Sequence, residues 1–330
     1  MRPDRWLRGM PQTQTAYVAI AFAALIVVIS ILAPVFMTPR NLLNISKNFS
    51  FIALMSLGET LVIISGGIDL SVGSICALSA VVTLMLMRLL SATAAAQVPG
   101  ATIALATLLA LALAALIGLV NGLLIARIRL SPFVTTLGML SVARGMTYVL
   151  TQGRAQYPTG PDVALFTRFA NGTVLGLPTQ LVYLLVLAVL MGLALRHLVW
   201  GRHLYAVGGN AQAAALTGVR VPRVVVSVYV LSGLAAGFSG VLIAGWLGAA
   251  PANLATGYEL RVIAAAVIGG ANLAGGVGGT AGAVIGAALI EVIRNGFVLI
   301  GANTYWEEVF VGVIIIIAVL VDQLRTRRVF

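Results

Sequence analysis

Long apolar runs separated by short polar connections are the feature that most constrains this chain. A helix needs about 20 apolar residues to cross the hydrocarbon core of a bilayer, which is roughly 30 Å thick. We predict about ten such spans, at 15–36, 49–65, 70–90, 101–126, 132–151, 180–199, 224–247, 258–271, 277–300 and 306–322. The eighth is short and ends in glycines. The predicted fold class is therefore all-α, a polytopic transmembrane helix bundle.

The composition supports a membrane location. Only 9% of the 330 residues are charged and 60% are hydrophobic, whereas a soluble domain carries roughly 25% charged residues. Such a chain has too little polar surface to cover a water-soluble globule, and the lipid bilayer supplies the apolar solvent that it needs. We expect residues 1–330 to form a single transmembrane domain.

Basic residues set the expected orientation. The net charge is +11, but the arginines lie in short loops between spans, which is typical of cytoplasmic retention rather than of nucleic-acid binding. With ten spans both termini share one side, and 12 of the 20 basic residues lie there against seven on the other. We therefore predict a multi-pass protein of the bacterial inner membrane with both termini in the cytoplasm. The run at 15–36 is too long for a cleaved signal peptide, so we interpret it as a permanent first span.

Two connections are long. The predicted outer one, 152–178, is rich in turn residues and has room for a short helix at 163–169. The predicted inner one, 200–223, is the most polar part of the chain, and Gln212–Leu216 indicates a short helix that Gly218 ends. That helix could lie on the spans or project into a partner.

Two similar stretches flank the centre of the chain. Residues 66–73 are Gly-Gly-Ile-Asp-Leu-Ser-Val-Gly, and residues 269–276 are Gly-Gly-Ala-Asn-Leu-Ala-Gly-Gly. Chance is one explanation, because glycine is abundant here. Duplication is the other, with halves around 49–151 and 224–322. Paired, glycine-interrupted spans in the two halves of a transporter tend to flank its substrate path.

Charged residues at membrane depth are candidate functional residues. Glu291 and Arg294 are three apart, so they can pair on one helix face. Glu59 and Arg144 have no local partner, and we expect both to face the pathway or each other. An intramembrane carboxylate such as Glu59 could also indicate proton coupling.

Asp69 allows two interpretations. It can cap the third span, with Ser71 as the competing N-cap. Alternatively, the broken backbone at Gly66–Gly67 lines a polar cavity, since irregular backbone at membrane depth is tolerated only where protein or water satisfies it. Asn272 occupies the matching position of the second stretch.

The sequence shows no motif typical of nucleotide binding, metal binding or catalysis. The single lysine, Lys47, is not part of a P-loop, so ATP would have to be hydrolysed by another subunit. One cysteine and two histidines give no metal-site pattern. We predict no catalytic residue, no cofactor and no metal, and therefore that this chain is not an enzyme.

Three stretches together resemble ribose-type ABC permeases. These are Gly-Gly-Ile-Asp-Leu-Ser-Val-Gly-Ser at 66–74, Gly-Gly-Asn-Ala-Gln-Ala-Ala-Ala-Leu-Thr-Gly at 208–218, and the region from Gly-Tyr-Glu-Leu at 257 to the glycines near 278. Asn121–Gly122 and the segment 131–137 are also similar to that family. The resemblance covers nearly the whole chain.

The resemblance implies a permease that translocates a monosaccharide by alternating access. Such permeases are usually paired in the membrane, bind a cytoplasmic ABC ATPase through a coupling helix, and receive sugar from a periplasmic binding protein. It implies a coupling role for Asn210, Ala214, Leu216 and Gly218. The candidate pathway or gating residues are Glu59, Gly66, Gly67, Asp69, Arg144 and Asn272.

Three alternatives stay open at this stage. An ion-coupled secondary transporter would work without an ATPase subunit. An ABC permease for branched-chain amino acids shares the general architecture. A membrane-embedded enzyme acting on lipid would need a clustered nucleophile, base or metal set, which the sequence does not show. The sequence names no particular sugar, with ribose, xylose and arabinose among those possible.

Overall fold

The computed structural model describes residues 14–301 and positions 303, 306, 309, 312, 313 and 316. Twelve α-helices lie within this part of the chain, which confirms the all-α fold class. They are α1 (Gln14–Leu32), α2 (Pro39–Ile64), α3 (Val72–Leu90), α4 (Ala101–Ala126), α5 (Pro132–Thr151), α6 (Val163–Asn171), α7 (Thr179–His197), α8 (Val199–Gly209), α9 (Ala211–Leu216), α10 (Val221–Leu247), α11 (Tyr258–Ile268) and α12 (Thr280–Leu299). Strands β1 (Thr173–Val174) and β2 (Leu177–Pro178) form a small antiparallel hairpin.

Seven of the described helices are long and apolar enough to cross a membrane: α2, α3, α4, α5, α7, α10 and α12. Two further predicted spans are helical but shorter, since α1 has a 14-residue apolar part at Ala19–Leu32 and α11 has 11 residues. The predicted span at 306–322 falls mostly outside the described residues. The seven helices establish a polytopic membrane protein, and the figure of about ten spans stays a prediction.

Helix α2 begins ten residues before its predicted start at 49. Pro39 occupies its first turn, where the missing N–H costs nothing. The polar residues that follow find partners on other segments, because Asn41 donates to Phe36 O and exchanges hydrogen bonds with Asn295, and Lys47 donates to Asn171 Oδ1. Hydropathy alone therefore places the start of this helix too late.

Helix α10 is at the centre of the bundle and packs against α2, α3 and α4. Glycines make the α4–α10 contact close: a Cβ at Gly122 would lie 2.7 Å from Val226 Cα, and one at Gly233 would overlap Ala114. Small residues at a contact between two helices let the helix backbones approach each other closely. These glycines therefore serve packing within the chain.

Helices divide into interior and peripheral ones. In the apolar window of α2, 83% of the residues are buried within the protein, whereas the value is 22% for α4, α5 and α7. Large apolar side chains such as Leu108, Val149 and Val189 are exposed on these peripheral helices. In a chain of this composition that surface faces lipid.

The connection from α5 to α7 is ordered by α6. Its Phe166 and Ala170 are buried against Gly245 of α10, which confirms the predicted short helix. Asp162, just before α6, ties the connection to the start of α4. Thr102 Oγ1 donates to Asp162 Oδ2 at 2.6 Å, and the Gly100 N–H donates to Oδ1 at 3.0 Å.

These hydrogen bonds generate a pH-dependent prediction. The Thr102 hydroxyl first, and then the Gly100 N–H, hold the pKa of Asp162 below its ordinary value. A depressed folded-state pKa stabilises the protein above the unfolded value of about 3.9, and the contribution is lost as the pH falls through the folded-state value. We expect detergent-solubilised wild-type protein to unfold at a higher temperature than Asp162→Asn at pH 7, and this difference to shrink below about pH 4. A difference that stays constant down to acid pH would contradict the assignment.

Candidate functional site

The two glycine-interrupted stretches meet in the structure. The first links α2 to α3 through residues 65–71, and the second links α11 to α12 through residues 269–279. The Gly276 N–H donates to Ile64 O at 2.9 Å. A Cβ on Gly275 would lie 3.1 Å from Gly66 Cα, so the two backbones are in direct contact. We call residues 64–71, from the last residue of α2 onward, and residues 269–279 the interrupted segments. Whether they arose by duplication stays a prediction.

Asp69 organises the first interrupted segment. Its side chain is fully buried, and it accepts hydrogen bonds from Ser71 N at 3.0 Å, from Ser71 Oγ at 2.5 Å and from Ser232 Oγ on α10 at 3.0 Å. Ser71, rather than Asp69, is the N-cap residue of α3. Asp69 acts one step earlier, through the turn that precedes the helix. Both residues considered for the cap therefore take part, in different roles.

Further polar side chains fix the same segment from neighbouring helices. Asn121 of α4 donates to Ser71 Oγ at 3.0 Å. The hydroxyl of Tyr229 on α10 donates to Ile68 O at 3.3 Å. The Thr136 hydroxyl on α5 lies at the same distance from Ile68 O, but its shorter hydrogen bond goes to Pro132 O at 2.9 Å. Polar side chains from three neighbouring helices, α4, α5 and α10, thus surround this stretch of non-helical backbone, which needs such partners at membrane depth.

Glu59 lies directly beside this segment. It is fully buried in α2, and its Oε1 accepts the Asp69 N–H at 3.1 Å. Its Oε2 is buried and has no hydrogen-bond partner among the described residues. Glu59 therefore contacts the interrupted backbone and is closed to solute in this conformation.

Arg144 has a different partner. Its Nη1 donates to Leu254 O at 2.6 Å, on the connection between α10 and α11. Glu59 and Arg144 therefore do not form the pair that was one of two expectations for them. Arg144 is half-buried, so part of its side chain remains accessible.

The remaining pathway candidates separate by exposure. Gly66 is exposed and has a φ of +84°, which favours glycine. Gly67 is buried against the Tyr229 hydroxyl, leaving no space for a Cβ. Asn272 is half-buried, and its Oδ1 accepts the Ala274 N–H at 2.7 Å. Gly66, Arg144 and Asn272 are thus the candidates that a solute could reach, and Glu59, Gly67 and Asp69 are enclosed. Their role in a pathway stays a prediction.

The predicted short helix in the polar connection is present as α9. Asn210 caps it, since its Oδ1 accepts the Ala213 N–H at 2.9 Å. Ala214 is 4% exposed and packs on the α2–α8–α10 cluster, whereas Leu216 is 90% exposed. Gly218 ends the helix with a φ of +89°. One face of the helix therefore lies on the membrane-spanning helices, as the first of the two expectations had it. The other face is exposed, and its insertion into a partner stays a prediction.

Several site residues were missed by the sequence prediction. Tyr229 and Ser232 are polar residues three apart in the apolar helix α10, and this spacing is the signal that could have identified them. Asn121 is likewise a lone amide within α4. Glu291 and Arg294, by contrast, form the predicted i,i+3 ion pair on α12.

The sequence of this chain is similar to those of known permeases. Residues 41–319 match the family described as branched-chain amino acid transport system / permease component. The chain is 39% identical over 308 residues to the ribose import permease protein RbsC of Escherichia coli (strain K12), covering 92% of each chain. It is 36% identical over 302 residues to RbsC of Bacillus subtilis (strain 168), covering 92% of this chain and 90% of the relative. It is 36% identical over 317 residues to the galactose/methyl galactoside import permease protein MglC of Escherichia coli (strain K12), covering 93% and 94%. No solved structure matches the chain.

The Asp69 network generates a stability prediction. Asp69→Leu leaves three buried donors on Ser71 and Ser232 without an acceptor, and each such loss costs about 1–3 kcal/mol. We expect this variant to lose about 3 kcal/mol or more of stability. Ser232→Ala is the milder comparison, because it removes one donor only and should cost about 1 kcal/mol. The measurement is thermal unfolding in detergent. Equal stability of Asp69→Leu and wild-type protein would show that Asp69 does not hold the segment.

Proposed function

Because this chain belongs to the ribose-type ABC permease family, we propose that it forms the transmembrane subunit of an importer that brings a monosaccharide into the cell. The relatives named above are import permeases for ribose and for galactose or methyl galactoside. A pentose or a hexose of this kind is therefore the proposed substrate class. ATP hydrolysis is assigned to a separate ABC ATPase subunit.

The observation that carries the coupling role is the position of α9. It projects a 90% exposed leucine, Leu216, from a helix whose other face is anchored by Ala214. A large apolar side chain held in the open by a capped helix suits insertion into a groove of a partner protein. We assign Leu216 as the residue that enters the ATPase, Asn210 and Gly218 as the residues that begin and end the helix, and Ala214 as its anchor.

This assignment places α9 in the cytoplasm. The connection that contains α9 also carries Arg202, Arg220 and Arg223, and the retention of basic residues in the cytoplasm favours that side. The α5–α7 connection then faces the periplasm, because α7 crosses the bundle between them. There, ordered by α6 and Asp162, it offers a firm surface for a periplasmic sugar-binding protein.

We propose alternating access as the transport mechanism. A second copy of the permease completes the membrane unit. The binding protein delivers sugar to the outer side, and ATP binding moves α9 from the inner side. The solute passes the exposed backbone at Gly66, the Asn272 side chain and Arg144, whose donors and acceptors suit sugar hydroxyls. Because the binding protein supplies selectivity, the permease needs only weak contacts.

One alternative to this proposal concerns the substrate, and another concerns the energy source. The matching family is described by branched-chain amino acid transport, which favours leucine and its relatives as the second candidate substrate. An ion-coupled mechanism is not favoured, since one similar protein, 37% identical over 326 residues, is named a probable ABC transporter permease protein.

Uptake in the native host tests the function. Cells that lack this gene should lose uptake of labelled ribose or galactose, and restoring the gene should recover it. We expect uptake to survive collapse of the ion gradients while ATP is maintained, and to stop when ATP is depleted. Leucine uptake that depends on the gene would assign the amino-acid function instead. Uptake that stops with the ion gradient alone would assign a secondary transporter.

The Leu216 side chain tests the coupling assignment. We expect Leu216→Ala to reduce the amount of ABC ATPase that co-purifies with the chain by about tenfold, since a central apolar anchor contributes at least that much to binding. The folded permease should be unaffected, because the side chain is 90% exposed among the described residues. Leu175→Ala is the matched control, since Leu175 is 98% exposed at the other end of α7. Equal ATPase recovery from both variants would rule Leu216 out as the anchor.

A further inference from the structure

The last turn of α8 touches both interrupted segments at once. Gly208 lies where a Cβ would overlap Ile64 O and come within 2.5 Å of Gly276 N, the two atoms of the hydrogen bond that joins the segments. On the other side, a Cβ on Gly275 would lie 2.7 Å from Gly208 O. Three backbones thus meet at one point with no side chain between them. We call Gly208, Ile64, Gly66, Gly275 and Gly276 the glycine junction.

From this geometry we infer that Gly208 is a positioning residue, through which movement of α9 is transmitted to the interrupted segments and so to the transport pathway. The inference rests on the proposed function, because it assumes that a motor subunit moves α9. It adds to that function the contact through which movement of α9 reaches the membrane-spanning part of the protein.

The link from α9 to Gly208 is short and hydrogen-bonded. Asn210 is the N-cap of α9, and its own N–H donates to Ala206 O at 3.0 Å, which continues the α8 ladder. The Ala214 N–H in turn donates to Asn210 O at 2.9 Å. A displacement of α9 therefore has no loose linker to absorb it, and it moves the last turn of α8.

Helix α8 is hydrogen-bonded to neighbouring segments near both of its ends. At its start, Trp200 Nε1 donates to Ser227 Oγ of α10 at 2.8 Å, which holds that end against the central helix. Near its end, Tyr205 OH donates to Gly278 O in the second interrupted segment, also at 2.8 Å. Leu204 and Val207 are buried in the same apolar cluster as Leu61 and Val62 of α2. The helix is thus held at one end and bears on the junction with the other.

Backbone contact makes the junction sensitive to small shifts. Side chains can change rotamer to absorb a displacement, but three touching backbones cannot, because closely packed interiors transmit strain rather than deform. Gly276 has a φ of +76° and Gly275 a φ of +94°, so both residues occupy backbone conformations that side chains would disfavour. Glycine at these positions is what permits the contact.

Gly209 provides a matched control. It is the neighbour of Gly208 in the same helix turn, but a Cβ on Gly209 would meet nothing within 4 Å. Gly208→Ala and Gly209→Ala are therefore the same chemical change in the same helix turn. The Gly209 backbone also lies near Gly276, but only the methyl group added at Gly208 would enter the junction.

The test compares these variants in proteoliposomes that contain the complete importer complex and its sugar-binding protein. We expect Gly208→Ala to retain the bound ATPase and to hydrolyse ATP, but to import at least about fivefold less sugar per ATP than wild type, the lower end of typical coupling between sites. Gly209→Ala should match the wild type. Equal coupling in the two variants, or an equal loss in both, would overturn the inference.

Two further arms keep the outcomes distinct. If Gly208→Ala does not assemble, Tyr205→Phe decides, since it keeps the ring and removes only the hydroxyl bond to Gly278 O. An expected fall of about twofold in sugar imported per ATP supports the inference, and unchanged coupling overturns it.

If the wild-type complex itself shows no ATP-driven import, the proposed function fails and the inference fails with it. That result differs from a working wild type with unaffected variants, which overturns the inference alone.

Discussion

Backbone that leaves a helix at membrane depth must find hydrogen-bond partners within the protein, and this requirement underlies the centre of the molecule. Lipid offers none, so each unpaired N–H or C=O there would cost several kcal/mol. Asp69 meets the requirement for the start of α3, Tyr229 meets it at Ile68 O, and the Gly276 N–H meets it at Ile64 O. The break in the helices is thus stabilised from several sides.

The arrangement of the bundle follows from that polar centre. Helix α10 supplies Tyr229 and Ser232 to the first interrupted segment, and its glycines, with those of α4, allow the close approach that brings Asn121 to Ser71. Peripheral α4, α5 and α7 turn apolar side chains outward. The proposed transport function needs both features: a surface that lipid accepts, and an interior where non-helical backbone is exposed near Gly66 and Asn272.

Apolar length and turn residues were enough to predict most of the fold, because lipid imposes a minimum span. Residues 101–126 and 132–151 are helices with the predicted bounds, and α6, α9 and the Glu291–Arg294 pair are confirmed. The sequence predictions were wrong where contacts between residues distant in the sequence determine the structure. Asn41 and Lys47 stay helical because of Asn295 and Asn171, and Arg144 turns to Leu254 O rather than to Glu59. Contacts of this kind leave no local pattern in the sequence.

The central claim is that the two interrupted segments are hydrogen-bonded into one unit. Amide hydrogen exchange of the chain in lipid nanodiscs tests it most directly. Ser71 and Gly276 lie outside regular helix, yet their N–H groups donate to Asp69 Oδ1 and Ile64 O. We expect both amides to exchange slowly, as amides within the core helices do. Exchange as rapid as that of Gly176, at the exposed turn between β1 and β2, would contradict the account.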